Sequence, residues 1–375
     1  MQILIAPDKF KGCLTAREAG EHIAAGWRAA WPDCEIIQQP LADGGDGSLA
    51  VIESALGGER MATTTRDARG RPVQAAWLWQ PTRRTAWIEV AGVCGLAGLS
   101  PDELDPLTAT SAGLGEVIRA AQEAGADDIR LCLGGSATND GGCGMADALG
   151  YRFHDKHGVH LDPLPCNLSA LEHIGRPAQG ITCRFCALVD VRNPLLGPHG
   201  SSRTYAAQKG ASPEAVEALE ASMTRLADVA ARDLHASAAN TPGAGAAGGL
   251  GFGVLVFLGG ELRPGFDTIA GITGFERAVA SADVIVTGEG RIDKQTGDGK
   301  VAAGVARLAR LHGKPVIALA GSIPLSNSEC RDNFDAAIPI SDDSMTLQYA
   351  MTHAGPLLQS AAGRAAKALR EGDIL

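Results

Sequence analysis

The feature of the sequence that most limits the fold is a recurring order of short apolar run, polar or glycine-rich loop, and helical pattern. The first unit runs from MQILIAPD into TAREAGEHIAAGWRAAW, where Thr15 and Glu18 form a capping-box signature ahead of helical apolar spacing. Similar units begin at CEIIQQPLADGGDG, DIRLCLGGSATNDGG and ADVIVTGEG. Strands that alternate with helices predict an α/β protein with a mainly parallel sheet.

A different pattern in the middle of the chain predicts a second domain. The segment GRPVQAAWLWQPTRRTAWIEVAG has two β-rich stretches around a turn, which is typical of a hairpin. At 375 residues the chain is also longer than one domain usually grows. We predict a discontinuous, Rossmann-like parallel-sheet domain formed by residues 1–60 and 284–375, and an inserted mixed α/β domain formed by residues 61–283.

Charge and composition argue against several classes of partner. The formal net charge of −10 disfavours nucleic acid or an anionic membrane surface, because both need a concentrated basic face. The longest apolar stretch, LGFGVLVFLGG, is well below the roughly 18 residues that a membrane span requires. The nine cysteines are scattered and follow no secretory leader, which favours reduced thiols and a cytoplasmic location. A homodimer is one assembly that the sequence leaves open.

Residues 131–150, LCLGGSATNDGGCGMADALG, place a glycine-rich loop between a buried strand and a helix. Such a loop aims backbone N–H groups and the positive end of the helix at a bound anion. Ser136, Thr138 and Asn139 could donate to a phosphate or carboxylate, and Asp140 could hold Mg²⁺ directly or through water. The alternative is a glycine-rich turn with an Asp that caps the helix. The loop matches neither the Walker A motif nor the dinucleotide fingerprint.

Asp190 follows the apolar run CALV, and Asn193-Pro194 turns the chain away. A carboxylate at the C-terminal end of a strand points into the crevice where α/β proteins bind ligands. In phosphoryl transfer one Asp commonly accepts the proton of the substrate hydroxyl or ligates Mg²⁺. The alternative is an Asp that opens an Asx turn, and the residues alone leave both roles open.

Other charged side chains lie in loops that follow apparent strands. Each carboxylate could be a turn residue or a helix cap, and each cation a solvated surface charge, but several together suit a crevice that holds metal and phosphates. The carboxylates are Asp8, Asp43, Asp46, Glu289 and Asp293, and the cations are Lys9, Lys11, Lys209, Arg291 and Lys300.

The segment NTPGAGAAGGLGFG at residues 240–253 is the one compositionally biased stretch. Its composition alone is that of a flexible linker. Because an apolar run follows at once, two structured roles stay open: a loop that faces a ligand and a tight packing turn.

Taken together, these motifs resemble the glycerate kinase family of the bacterial glycerate 2-kinase type. The resemblance extends over essentially the whole chain, and GGSATNDGG and TGEGRID are its specific motifs. It implies ATP-dependent phosphorylation of D-glycerate, generally to 2-phosphoglycerate, with Mg²⁺, in a two-domain α/β fold whose active site lies in the cleft. The matched positions that it implies as site lining are Asp8, Lys11, Gly134, Gly135, Ser136, Asn139, Asp140, Asp190, Lys209, Glu289 and Asp293.

The prediction is therefore a glycerate kinase whose ATP phosphates lie against residues 134–142. Asp190, Lys11 and Lys209 are the predicted catalytic groups, Asp140 and Asp293 the predicted Mg²⁺ ligands, and the predicted binding residues are Asp8, Gly134, Gly135, Ser136, Thr138, Asn139, Glu289 and Arg291. Transfer to the 3-hydroxyl is less favoured. The rival interpretations are a nicotinamide-dependent oxidoreductase, which lacks its glycine fingerprint here, and a non-catalytic small-ligand sensor.

Overall fold

The structure is a computed structural model that describes residues 1–293, 300–326, 329–330, 332–342 and 344–374. It divides into two compact units. The terminal unit comprises Met1–Asp43, Ala50–Leu56 and Phe266–Leu375, and the central unit comprises Gly44–Leu49 and Gly57–Gly265. This division groups residues 266–283 with the chain ends. The domain boundaries at residues 61 and 284 stay a prediction.

The strands alternate with helices along much of the chain. In chain order the strands are β1 (Gln2–Ile5), β2 (Glu35–Gln38), β3 (Glu59–Arg66), β4 (Pro72–Gln80), β5 (Thr85–Glu89), β6 (Asp128–Cys132), β7 (Arg152–His154), β8 (His173–Gly175), β9 (Arg184–Val189), β10 (Glu261–Pro264), β11 (Val284–Arg291), β12 (Val316–Ser322) and β13 (Ala336–Pro339).

The described α-helices are α1 (Ala16–Ala30), α2 (Ser48–Leu56), α3 (Ala91–Cys94), α4 (Ala112–Glu123), α5 (Cys143–Ala148), α6 (Ser201–Tyr205), α7 (Pro213–Asp233), α8 (Ala246–Phe257), α9 (Gly265–Thr273), α10 (Phe275–Ser281), α11 (Val301–Leu311), α12 (Leu347–Thr352) and α13 (Ala354–Glu371). Helix α1 begins with the predicted capping box, in which Thr15 and Glu18 each accept a hydrogen bond from the other's backbone N–H. Within the described residues, every helix is too short or too polar to cross a membrane.

The terminal unit is built on a five-stranded parallel sheet in the order β13-β12-β11-β1-β2. Ile3, Leu4 and Ile5 of β1 are all fully buried, because helices cover both faces of the sheet. Leu4 packs with residues of α9 to α11, whereas Ile3 and Ile5 pack with Trp27 of α1 and with α13. The continuous apolar run read from the sequence therefore forms a central strand, and the α/β prediction is confirmed.

The central unit contains a six-stranded mixed sheet in the order β10-β9-β6-β5-β4-β3. The pairs β10-β9, β9-β6 and β6-β5 are parallel, and the pairs β5-β4 and β4-β3 are antiparallel. The hairpin predicted from the tryptophan-rich segment is β4-β5. A separate two-stranded sheet pairs β7 with β8.

Two helical glycines in the terminal unit provide a matched test of helix packing. A Cβ on Gly26 in α1 would lie 2.0 Å from the carbonyl oxygen of Gln359 in α13, whereas a Cβ on Gly363 would have no neighbour closer than 3.4 Å. We expect Gly26→Ala to destabilise the unit by about 1–3 kcal/mol through overpacking. Gly363→Ala should be neutral or stabilise by up to about 1 kcal/mol, through higher helix propensity.

Thermal unfolding followed by circular dichroism measures both variants. Equal melting temperatures for the two variants would contradict the close approach of α1 and α13.

Candidate functional site

In the terminal unit, three carboxylates lie near or after the C-terminal ends of neighbouring strands. Glu289 lies in the last part of β11, Asp8 follows β1 and Asp43 follows β2, and each is at most 8% exposed. The amide of Asp8 donates to the carbonyl of Gly288 at 2.8 Å, which fixes the first loop against β11. Parallel strands in adjacent positions therefore bring these side chains to one edge of the sheet.

Glu289 is the electrostatically unusual member of this group. Burial raises the pKa of its carboxyl to about 8; Lys300 opposes the rise, and the charges of Asp8, Asp43 and Asp293 add to it. Its Oε1 atom is buried and has no hydrogen-bond partner among the described residues. The carboxylate is therefore held close to other negative charge with unused acceptor capacity.

The cations predicted in the terminal unit are more exposed than the carboxylates. The Lys9 ammonium lies 3.8 Å from Oδ1 of Asp8, and Arg291 donates from Nε to Oδ2 of Asp293 at 3.1 Å. Lys11 is exposed, and its backbone lies beside Gly290. Residues 294–299, which belong to the last family motif, lie outside the described residues.

The described carboxylates suit a divalent cation that is held partly by a nucleotide. No three His, Cys, Asp or Glu side chains of the described part of the chain are grouped as a complete metal cage. Mg²⁺ in nucleotide enzymes needs only one or two protein carboxylates, since phosphates and water complete its shell. Glu289 can supply one such carboxylate, because its Oε1 has no partner among the described residues. The charges of Asp8, Asp43 and Asp293 act on it and would attract a cation.

The raised pKa of Glu289 predicts a pH-dependent cost to stability. Between pH 4.5 and about 8 the folded chain keeps a proton that the unfolded chain releases, so stability falls as the pH rises through this window. Glu289→Gln removes this titration. We expect it to melt near the wild-type temperature at pH 5 but clearly above it at pH 8.5, by the equivalent of a few kcal/mol (order of magnitude).

Thermal unfolding without nucleotide or divalent cation is the measurement. A melting difference that does not change with pH would contradict the assigned environment of Glu289.

In the central unit, most of the loop after β6 is buried. Ser136, Thr138 and Asn139 are each at most 3% exposed, whereas Gly135 is exposed and Gly134 is half-buried. We call Gly134–Gly135 the glycine corner. It is the part of this loop that a ligand can reach in the described structure.

Asp140 accepts hydrogen bonds from backbone amides at the end of the loop and the start of α5, which were predicted to face a bound anion. Its carboxylate accepts hydrogen bonds from the amide and hydroxyl of Ser111 at 2.8 and 2.7 Å, and from the amides of Gly142 and Gly144 at 3.0 and 3.2 Å. Burial raises its pKa, and these bonds oppose the rise. The alternative interpretation, an Asp that accepts hydrogen bonds from the first amides of the helix, therefore matches the start of α5. This geometry favours a role in shaping the loop over the predicted role as a Mg²⁺ ligand.

Lys209 lies beneath the same loop. Its ammonium donates to the carbonyl of Thr138 at 2.6 Å and to Oγ of Ser136 at 3.1 Å, and only 2% of the residue is exposed. Burial lowers its pKa to about 8, and Cys94 and Asp140 oppose the change. Lys209 thus contacts the loop from inside the protein.

The polar atoms of the loop are not all satisfied. Asn139 donates from Nδ2 to Oγ of Ser202 at 3.1 Å. Its Oδ1, the hydroxyl of Thr138 and the hydroxyl of Ser201 are buried and have no hydrogen-bond partner among the described residues. Ser201 was not predicted from the sequence, since a serine at the start of a short helix has no distinguishing pattern.

The strand register places Asp190 and the glycine corner at one edge of the central sheet. Cys132 in β6 pairs with Leu188 in β9, and the amide of Leu133 donates to the carbonyl of Leu188 at 3.2 Å. Asp190 directly follows β9 and is half-buried. The structure therefore brings together the predicted catalytic carboxylate and the exposed part of the predicted phosphate loop.

The turn after Asp190 is held by Asn193. Its Nδ2 donates to the carbonyl of His199 at 2.7 Å, and its Oδ1 accepts from the hydroxyl of Tyr205 at 2.7 Å. Asn193 thus has a structural role.

Two further features at this edge extend the sequence-based list. Glu89 ends β5, pairs with Cys132, and accepts the amide of Leu49 at 2.6 Å. It was missed, although a carboxylate at a strand end is the signal that identified the others. Gly134 also packs so closely on Gly45 that a Cβ would lie 2.4 Å from its Cα.

The glycine-rich segment at residues 240–253 is a packing turn. Ala247, Gly248 and Gly249 all have left-handed backbone, with φ of 54°, 73° and 86°. A Cβ on Gly248 would lie 1.8 Å from the carbonyl oxygen of Thr138, and the amide of Gly141 donates to the carbonyl of Gly248 at 3.0 Å. Of the two structured roles, the structure shows the tight packing turn.

This contact predicts a large effect of one methyl group. Gly248→Ala should destabilise the protein by about 1–3 kcal/mol more than Gly259→Ala, because both place alanine at positive φ but only Gly248 meets backbone there. Melting temperatures and ATP-dependent turnover of the two variants are the measurements. If they behave alike, the close approach of Gly248 to Thr138 is wrong.

The predicted site residues thus fall into two groups. The group in the terminal unit contains Asp8, Lys11, Glu289, Arg291 and Asp293. The group in the central unit contains Gly134, Gly135, Ser136, Thr138, Asn139, Asp140, Asp190 and Lys209.

All nine cysteines are free thiols, including Cys183 and Cys186.

Comparison with known proteins identifies the family. The family model described as "Glycerate kinase family" matches residues 3–370. Glycerate kinase of Bacillus subtilis (strain 168) is 38% identical over 366 residues, which cover 96% of each chain. Glycerate 2-kinase of Escherichia coli (strain K12) is 40% identical over 327 residues, which cover 86% of each chain.

A solved structure agrees with this result. A crystal structure assigned to glycerate kinase 2 of Salmonella typhimurium LT2 matches with a TM-score of 0.81 and 38% identity, over 100% of this chain and 99% of that one. The chain belongs to the glycerate kinase family. It is an ATP-dependent kinase, which confirms the predicted family and enzyme class.

Proposed function

We propose that this chain transfers the γ-phosphoryl group of ATP to the 2-hydroxyl of D-glycerate and forms 2-phosphoglycerate. Its similarity to the Escherichia coli glycerate 2-kinase, over 86% of each chain, carries this proposal. The position of Asp190 beside the glycine corner supports it, because phosphoryl transfer needs a positioned carboxylate close to the phosphate site.

In this proposal the glycine corner receives the phosphates of ATP. Gly134 and Gly135 have no side chains between a ligand and the backbone, and a positive φ of 79° at Gly135 suits glycine. Ser136, Thr138 and Asn139 lie directly behind the corner and carry the buried polar atoms described above. Backbone N–H groups in such a turn attract anions.

Asp190 would orient the substrate hydroxyl or accept its proton as the phosphoryl group is transferred. A half-buried carboxylate at a strand end suits this role, because it is held by the sheet but stays accessible to a small substrate. In the terminal unit, Lys11 is an exposed cation, and Arg291 is an exposed cation that pairs with Asp293; both could offset negative charge of a ligand bound to that unit.

Glu289 and Asp293 are the residues that we propose to hold Mg²⁺, with Asp8 beside them. Mg²⁺ held there would supply the positive charge that a nucleotide requires for phosphoryl transfer. Asp293 was predicted as a ligand from the sequence. Glu289 takes the place of Asp140, whose oxygens already accept four hydrogen bonds.

The reaction is tested by incubating the protein with ATP, Mg²⁺ and D-glycerate. We expect ADP formation that depends on D-glycerate, and phosphorus NMR should identify 2-phosphoglycerate. A 3-phosphoglycerate signal would correct the position of transfer. Absence of ADP would overturn the proposed function.

The role of Asp190 is tested by Asp190→Asn, which keeps the size of the side chain and removes the carboxylate. We expect kcat to fall by about 10²–10⁴-fold with little change in melting temperature. Asp228→Asn on the exposed face of α7 is the matched control and should retain wild-type turnover. Near-normal kcat in Asp190→Asn would exclude Asp190 as the catalytic carboxylate.

A further inference from the structure

Lys209 is a buried cation whose contacts all lie on the inner side of the phosphate loop. The ammonium donates to the carbonyl of Thr138 and to the hydroxyl of Ser136, and the residue is 2% exposed. In this position it cannot touch a ligand at the glycine corner. Any effect on the reaction must pass through the loop.

The chain around Lys209 fixes where the ammonium lies. Lys209 ends a short 3₁₀ turn, and Gly210 follows with φ of 96°. A Cβ on Gly210 would lie 2.5 Å from the carbonyl oxygen of Leu104, so this backbone is tightly packed. The lysine is therefore placed by its own backbone and not by a mobile surface segment.

Two other contacts hold the same loop from different directions. At the far end of the loop, Asp140 accepts hydrogen bonds from the amides of Gly142 and Gly144. Gly248 packs on the carbonyl of Thr138. Lys209 donates to that same carbonyl. Together these contacts determine the backbone of residues 136–144 and so the direction in which the glycine corner leaves the sheet.

The cation is costly at this position. A buried ammonium loses its hydration, and an apolar side chain of similar length would fill the space without that loss. Charge-assisted hydrogen bonds to Thr138 and Ser136 offset the cost and are stronger and more directional than neutral ones. Burial of the Lys209 ammonium thus lowers the stability of the protein, but its hydrogen bonds hold the phosphate loop in place.

We propose that Lys209 is a positioning residue for the nucleotide: by holding Ser136 and Thr138 it fixes the glycine corner in the geometry that binds the phosphates of ATP. This inference rests on the proposed placement of the phosphates at the corner. It replaces the predicted role of Lys209 as a catalytic group.

The test compares Lys209→Met with the wild-type protein. Methionine keeps the length of the side chain and removes the donor. We expect the Kd for Mg-ATP, measured by titration calorimetry without D-glycerate, to rise about tenfold or more. The KM for D-glycerate should change much less. Lys156→Met, an exposed lysine of the same unit, is the matched control and should stay within about twofold of wild type.

A milder variant guards against misfolding of Lys209→Met. Ser136→Ala removes one acceptor of the ammonium and keeps its charge, so we expect a smaller rise in Kd, about threefold. Hydrogen exchange of peptides that cover residues 134–142 should be faster in both variants, while exchange in β4 stays unchanged.

The pH dependence separates positioning from simple packing. Cys94 and Asp140 are the titratable groups that face Lys209, whose pKa is lowered to about 8. Above that pH the amine is neutral and its hydrogen bonds lose their charge assistance. The affinity of the wild type for Mg-ATP should therefore fall between pH 7 and 9 more than that of Lys209→Met.

Several outcomes would overturn the inference. The inference is wrong if Lys209→Met binds Mg-ATP as tightly as wild type, if it loses affinity only together with a general rise in hydrogen exchange, or if it keeps the wild-type pH dependence. Because binding is measured without D-glycerate, a wild type that binds Mg-ATP but does not phosphorylate D-glycerate refutes the proposed function alone. A wild type that does not bind Mg-ATP refutes both.

Discussion

One buried carboxylate organises the central unit around the candidate site. Asp140 accepts four hydrogen bonds, from the residue that precedes α4 and from the first turn of α5, and thereby joins two helices to the loop after β6. A fully buried carboxylate is unfavourable without such partners, so the loop, the two helix starts and the charge stabilise one another. Because the amides of Gly142 and Gly144 are already used, we propose the glycine corner, and not the start of α5, as the phosphate site.

In the terminal unit, the buried carboxylate of Glu289 has the opposite surroundings to those of Asp140. Asp140 is surrounded by donors, whereas Glu289 is buried near three other carboxylates and keeps one oxygen without a partner among the described residues. Such an arrangement lowers stability in the absence of a cation and is typical of functional positions. The two buried carboxylates therefore differ: Asp140 uses its acceptor capacity within the fold, whereas Glu289 keeps a buried oxygen that we propose a cation uses.

The fold was largely predictable because strand runs, loops and a capping box are local signals. Ile3 to Ile5 formed the predicted buried strand, and the tryptophan-rich segment formed the predicted hairpin. The roles within the site were less predictable. A sequence places Asp140 and Lys209 in polar loops but does not say which way a side chain points, and both point inward. Ser201 and Glu89 were missed, because burial and register are tertiary properties.

The turn at residues 247–249 has a consequence for engineering the chain. Its alanine and glycine content is that of a spacer, and a designer seeking a place to insert a tag or to join new termini would choose it first. Three left-handed residues packed on the backbone of Thr138 make it one of the least permissive places in the central unit. The segment is rich in glycine because its backbone is closely packed. Where Gly248 and Gly249 lack a side chain, the backbone of Thr138 and of Gly141 occupies the space.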